Sequence, residues 1–327
     1  MLPTGKGLSK HLGQEELGIR GKMVNPNTFG INNLTLTVKG KFIKTAMVRE
    51  EWDEDVADPQ SVVNAIKRSG IRIDLFTFVQ RLPESRPKFD YHMVWDSVAA
   101  VPIKNYEHWL ENQITKQARN RIKKARKTGV EIRHIPFDDE LIKSISDIYN
   151  EMPIKQGRRY RHYGMSLERV RTANSTFLER CDFIGAYYDH ELIGYIKIVY
   201  SDRYARTMGI LAKVRHRDKS PMNLLLAKAI EICAEKKVSF LTYARYDYGK
   251  VGSESMKEFK KNNGFENILV PRYYIPLNKY GKIAVKLGLY KGLKNLLPRW
   301  IVRNVLRVRR IWYSKKEYVK GGASGSN

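Results

Sequence analysis

Cysteine is nearly absent. The 327-residue chain has two, Cys181 and Cys233, with no C-x-x-C pair and no basis for a disulfide framework. Cys233 stands in an apolar helical run and reads as a small buried hydrophobe. Seven histidines show no spacing suited to a metal site, so the sequence offers no ligand set for a metal. No apolar run approaches the roughly 18 residues that a membrane-spanning helix needs. The opening MLPTGKGLSKHLGQEELG is polar, unlike a secretory leader, and sets the expectation of a cytoplasmic protein. Acids are the other shortage: 34 Asp and Glu against 60 Lys and Arg leave a net charge of +26. A field of that size selects an anionic partner, whether nucleic acid, an acidic membrane face or a phosphorylated substrate.

Hydrophobic residues are not scarce. At 42% they are enough to build a sizeable core. Residues 1–33 carry scattered glycines and no sustained period, and receive no assignment. From residue 34, LTLTV alternates at period two, turns at Lys39-Gly40 and resumes through KFIKTAMV. A helix QSVVNAIKRSG and strands over 71–79 and 93–101 complete a small α/β unit. A helix is expected from Tyr106 to Lys127, with Leu110, Ile114, Ala118, Ile122 and Ala125 as its apolar stripe. Its other faces carry seven Lys and Arg, read as a solvated face rather than a nucleic-acid surface because aromatic interleaving is sparse. Residues 129–275 then read β-α-α-β-β-β-α-β-α-β. Ser220-Pro221 in that run looks like a cap followed by proline at the first helical position.

Three stretches concentrate chemistry. SESMKEFKKNNGFEN (253–267) is a helix running into a Gly-Phe turn, with Phe259 and Lys260 side by side near its end. Asn-Gly suits an ordinary C-cap and Lys260 a solvated helix end. Alternatively, Lys260 steadies a developing oxyanion. YARYDYG (243–249) leaves a strand end with Tyr243, Tyr246 and Asp247. The tyrosines suit packing or the orienting of an acceptor, and Asp247 a turn or a general base. KQGRRYRHYG (155–164) packs Gln156, Arg158, Arg161, His162 and Tyr163 into one basic loop, with His162 the histidine nominated as general base.

The element order, the helix TKQARNRIKKARKTGVEIR, the Phe259-Lys260 pair and the strand pair FIGAYYDHELIGYIKI together resemble the GNAT acyltransferase superfamily. Within it the chain is most similar to the FemAB-type branch, over about residues 40 to 275. The resemblance implies an α/β (α+β) fold with a mixed sheet flanked by helices, in two tandem GNAT-like units followed by a helical extension. The corresponding divisions are 34–128 for a small unit plus basic connecting helix, 129–276 for the catalytic domain, 277–320 for basic amphipathic helices and 321–327 for a flexible tail. It also implies acyl transfer to an amine or hydroxyl of a cell-envelope saccharide or lipid-linked precursor. Catalytic roles fall to Lys260, Tyr243, Asp247 and His162, and acceptor binding to Gln156, Arg158, Arg161, Tyr163, Tyr246 and Phe259.

Two donors are open at the level of the sequence. Acetyl-CoA enzymes of this fold hold the pyrophosphate in a glycine-rich loop at a helix N-terminus. Here the stretch is ILAKVRHRDKSPMNLLL, without a glycine and with Pro221, which lacks an N–H. For an acyl-CoA donor, Lys213, Arg215 and Ser220 are the binding candidates. Aminoacyl-tRNA is the alternative donor and accounts for both the missing loop and the charge. A non-catalytic tethering module is the third possibility. Finally, 13 Lys and Arg lie between Lys279 and Lys320 against the single acid Glu317, and Trp300 and Trp312 flank an apolar helical face. Residues 281–320 are therefore expected to lie on an anionic membrane surface, either there or packed on the catalytic domain.

Overall fold

A computed structural model describes residues 27–155, 158–202, 204–247 and 254–291, together with the short stretches 16–17 and 23–24. In chain order the principal elements are β1 (Asn27–Ile31), β2 (Leu34–Lys39), β3 (Thr45–Val48), α1 (Pro59–Arg68), β4 (Leu75–Val79) and β5 (His92–Pro102). There follow α2 (Lys116–Lys127), β6 (Glu131–Ile135), α3 (Asp139–Asn150), α4 (Leu167–Asn174), β7 (Cys181–Tyr188), β8 (Glu191–Tyr200) and β9 (Ala205–Ala212). The series closes with α5 (Pro221–Glu235), β10 (Phe240–Thr242), α6 (Glu254–Asn262), β11 (Glu266–Pro276) and α7 (Lys279–Lys286). From β6 to β11 the principal elements run in the order that periodicity gave.

The described residues form two compact units, one within residues 27–96 and 269–291, the other within residues 97–268. The divisions fall inside β5 and β11, not at the sequence-drawn 128 and 276.

In the first unit β1–β2–β3 form an antiparallel meander, β3 and β4 are parallel, and β4 is antiparallel to β11. Its core joins Leu36, Val63, Ile66, Phe76, Phe78 and Tyr273. Asp58 caps α1 by accepting from the Ser61 N–H at 3.0 Å, ahead of a proline at the first turn. Arg272 spans Glu51 and Asp96 as a buried ionic triad, at 2.6 and 2.8 Å.

In the second unit β6, β7, β8 and β9 are successively antiparallel, β9 is parallel to β10, and β10 is antiparallel to β5. Helices α2 and α5 cover a core of Ile122, Ile184, Ile196, Ile198, Leu225 and Ile230. A second cluster packs α3 and Val170 of α4 against β7 and β8. The two residues between β7 and β8, Asp189 and His190, both take the left-handed conformation, as a two-residue hairpin turn requires.

The expected single helix over 106–127 is broken. Tyr106–His108 is α, Trp109–Gln113 is a π turn, and Ile114 and Thr115 are extended. Thr115 accepts from the Ala118 N–H at 3.3 Å and starts α2 afresh. A hydroxyl residue competes with the helix by capping the next turn. The stripe still works, with Ile114, Ala118, Ile122 and Ala125 all buried. Among the described residues no helix is long and apolar enough to cross a membrane.

Candidate active site

The site begins where two parallel strands part. β9 and β10 are in register only at Ala205–Leu241 and Arg206–Thr242. Beyond Thr242 the chain turns towards β5, with the Tyr243 N–H donating to the Ala99 carbonyl at 2.8 Å and the Ala99 N–H to the Ala244 carbonyl at 2.9 Å. β9 stays with β8, but its register shifts: Lys197 opposes Gly209 and Ile198 opposes Thr207. Met208 is thus a bulge residue with nothing opposite it in the ladder. Bulges re-aim backbone and side chains beside functional sites. Next to it, Thr207 is 3% exposed and its hydroxyl has no hydrogen-bond partner. A buried hydroxyl without a partner is costly, and it lies at the point where the strands separate.

The end of α6 meets the chain that leaves β10, where Lys260 reaches Arg245 and Tyr243. The Gly264 N–H donates to the Lys261 carbonyl and the Phe265 N–H to the Lys260 carbonyl, at 3.3 and 3.0 Å. That pattern, with Gly264 at φ +80°, is a Schellman cap, so the ordinary capping reading is right. A side chain at Gly264 would also press on Trp109 and Gln113. Asn263 is fully buried and ties the turn together. Its amide takes the Asn223 N–H at 2.9 Å and donates to the Phe259 carbonyl at 2.7 Å, while its own carbonyl accepts from the Trp109 indole at 3.1 Å. The Asn262 carbonyl, left over at the end of α6, accepts the Thr115 N–H at 3.0 Å. One helix's orphan acceptor meets the next one's capping residue.

Lys260 is held by this scaffold and is wholly enclosed, with 0% exposure. It is thus not the solvated helix end that the capping reading expected. Its ammonium donates to the Arg245 carbonyl and lies 4.8 Å from the centre of the Tyr243 ring. Burial pushes its pKa down to about 8, partly offset by the Asp247 carboxylate. Asp247 itself is exposed and pairs with Lys257 at 3.0 Å. Tyr246 and Phe259 are half-buried against the main core. Lys260, Tyr243, Tyr246, Asp247 and Phe259 are therefore brought together around one strand end.

His162 is placed elsewhere. It stacks on Tyr149 with ring centres 4.4 Å apart, against the cluster under α3, and accepts from the Arg161 Nε at 2.7 Å. Burial, then the charges of Arg161 and Lys155, lower its pKa to about 4, so it is neutral but a weak base at pH 7. The nomination as general base does not suit that environment. Tyr163 and Arg161 are exposed. Gln156 and the side chain of Arg158 lie outside the described residues.

The loop after β9 departs furthest from the expected phosphate cradle. The N–H groups of Val214 and Arg215 both donate to the carboxylate of Glu151, at 2.6 and 2.8 Å. Lys213 and Arg215 pair with Glu191, which also takes His216 at 3.1 Å. Burial alone would raise the Glu191 carboxyl, but these cations outweigh it and hold it below the usual carboxylate range. Ser220 adopts the left-handed conformation and makes no side-chain cap, so the expected N-cap is absent. Pro221 has no N–H to offer. The N–H pair and the basic side chains a pyrophosphate would use are thus already turned to the chain's own carboxylates, and the loop does not fit coenzyme A. Glu151, Glu191, Thr207 and Met208 escaped the sequence reading. Gly209, inside a strand pattern, was the one available flag for the bulge.

No family model matches the sequence, and no curated protein does. Solved structures do match in fold. FemX superposes with a TM-score of 0.54 at 10% identity, covering 83% of this chain and 88% of its own. The C-terminal domain of a protein assigned as a lysylphosphatidylglycerol synthetase from Agrobacterium fabrum gives 0.51 at 12% identity, covering 78% and 84%. A conserved protein of unknown function from Bacteroides thetaiotaomicron gives 0.52 at 12% identity, covering 77% and 85%. The chain shares the fold of FemX, a mixed α/β arrangement of sheet flanked by helices.

Proposed function

We propose that the chain is an acyltransferase that moves an aminoacyl group from the ester of an aminoacyl-tRNA to an amine or hydroxyl of a cell-envelope saccharide or lipid-linked acceptor. The observation that carries this reading is the parting of β9 and β10 after Arg206 and Thr242, with the Met208 bulge in β9 and Lys260 enclosed against the chain that leaves β10. The fold shared with FemX and with a lysylphosphatidylglycerol synthetase domain supports group transfer of this kind. The +26 charge suits a polyanionic donor. The closed loop at Val214 and Arg215 disfavours an acyl-CoA donor.

In this scheme the acceptor's nitrogen or oxygen attacks the ester carbonyl. The carbon–oxygen bond to the donor ribose breaks, an amide or ester forms, and the acceptor's proton ends on the released ribose oxygen. Negative charge develops on the carbonyl oxygen between those events. The main-chain N–H at the bulge is the donor proposed to meet it. Lys260 is a positioning residue. Its ammonium fixes the Tyr243–Arg245 strand end through the Arg245 carbonyl, and a charge shielded from water acts strongly on an oxyanion nearby. Tyr243 and Tyr246 orient the acceptor.

The test is transfer of a labelled amino acid from charged tRNA to an envelope-precursor extract by the purified full chain. Labelled acceptor, and RNA affinity falling steeply with salt, is the expected result. Retention on coenzyme A resin after nuclease treatment, with acetyl transfer from acetyl-CoA, would overturn the donor assignment. A covalently acylated enzyme recovered without acceptor would overturn direct attack.

A further inference from the structure

Helix α7 presents an apolar stripe to the outside. Tyr280, Ile283 and Leu287 are 46%, 50% and 60% exposed, and their spacing of three and four puts them on one face. The opposite face is locked. Gly281 and Ala284 are buried, and a methyl group on Gly281 would collide with the Asp74 backbone carbonyl. Asn278 caps the helix through the Gly281 N–H at 3.0 Å, and its own amide donates to Asp74, fully buried, at 2.9 Å. The Leu277 N–H donates to the Asp74 carbonyl at 3.0 Å. The stripe is therefore held outward by a capped, anchored helix, and it is not the loose end of the chain.

Its flank is cationic. Lys279, Lys282 and Lys286 are exposed and lie together beside the stripe, while the Arg72 guanidinium lies 5.4 Å from the Tyr280 ring centre. From Lys279 to Lys286 there is no acid, and on to Lys320 the sequence contains one. Apolar side chains edged by lysines on one helix face match an anionic lipid surface, where the rings and methyls enter the headgroup boundary and the ammonium groups meet lipid phosphates. A nucleic acid would use the lysines but leave Ile283 and Leu287 without a role.

The geometry points to α7 as a docking face for an anionic membrane, with Tyr280, Ile283 and Leu287 as the inserted side chains and Lys279, Lys282 and Lys286 as the electrostatic ones. This does not depend on the transfer chemistry, and its failure would leave that reading untouched.

The test is co-sedimentation of the full chain with vesicles of phosphatidylcholine, alone or mixed with phosphatidylglycerol. Binding is expected only to the anionic vesicles, weakening as salt rises. The double variant I283S/L287S keeps every charge and alters only exposed positions. It should bind at least tenfold more weakly. Each lysine changed to glutamine should cost about fivefold. Equal binding to both vesicle types, or I283S/L287S binding as tightly as the unaltered chain, would overturn the proposal. The second result would mean either that residues 292–320 hold the membrane by themselves or that charge alone does. A circular dichroism melt of I283S/L287S matching that of the unaltered chain ties the loss to the face rather than to unfolding.

Discussion

Two basic places in the second unit look alike as sequence and differ as structure. After β9, the run Lys213–Lys219 meets carboxylates: Glu191 gathers Lys213, Arg215 and His216, and Glu151 takes two backbone N–H groups. After β10, Lys260 is enclosed against a peptide carbonyl and an aromatic ring, with Asp247 turned to Lys257. A cation neutralised at contact is part of the framework. Lys260, enclosed where strands separate, sits against a peptide carbonyl and an aromatic ring, with the Asp247 carboxylate also acting on it, and its charge is shielded from water. Burial alone does not make that distinction. Lys197 is 3% exposed and its pKa is also lowered to about 8 by burial, yet it donates to the Asn174 carbonyl at 2.7 Å and to Thr176, closing a loop end.

The sharpest way to break the comparison is K260M. If the charge of Lys260 supports transfer, kcat should fall about 10²- to 10³-fold while KM changes little. A loss confined to stability, with kcat intact, would make the two places equivalent. For the unaltered enzyme, activity should decline as pH rises through about 8, where the ammonium is lost, and K260R should move that limb upward. The sign for stability is opposite. The folded pKa lies below the ordinary lysine value of 10.5, so the unfolded chain binds more protons between the two. Stability contributed at this site therefore rises with pH from about 8 to 10.5.

Next in size, E191A should destabilise the chain by about 1–3 kcal/mol, because it strands buried Lys213 beside Arg215 and His216. Thermal unfolding reads this, and kcat at a temperature where the variant is folded should hold. E151Q removes the charge that meets the Val214 and Arg215 N–H groups. It should cost about 1 kcal/mol and give the loop measurable pyrophosphate affinity by calorimetry. No gain in affinity would mean the loop geometry, and not Glu151, excludes the anion. The smallest effect belongs to His162. Its folded pKa is about 4 against an ordinary 6.5, so the unfolded chain takes up protons first and stability falls as pH drops from 6.5 towards 4. H162L should flatten that part of the stability profile.

Much of the fold could be read from periodicity. The ten elements of 129–275 follow from alternation in the strands and the spacing of apolar residues in the helices, because those periods reflect which face each segment buries. The break at Ile114-Thr115 could not be read that way, since the stripe Ile114, Ala118, Ile122, Ala125 is the same with or without it. What decided it was a capping hydroxyl and an Asn262 carbonyl 147 positions away. At the site, the strand end 243–247 and the Phe259-Lys260 pair were legible as a chemical cluster. His162 was not separable from them in sequence, and only its stacking on Tyr149 assigns it to another core.

The sequence by itself determined which segments become strands and helices, the strong positive field and the Gly264 turn. These depend on local backbone preference and on side-chain character, which a linear string contains. Tertiary structure decided the rest: that Lys260 is enclosed, that Glu151 and Glu191 claim the loop after β9, and that Met208 bulges where two strands part. Each is a matter of which distant group arrives within hydrogen-bonding reach. Charge and polarity can be counted along a chain, but their neutralisation happens only across space.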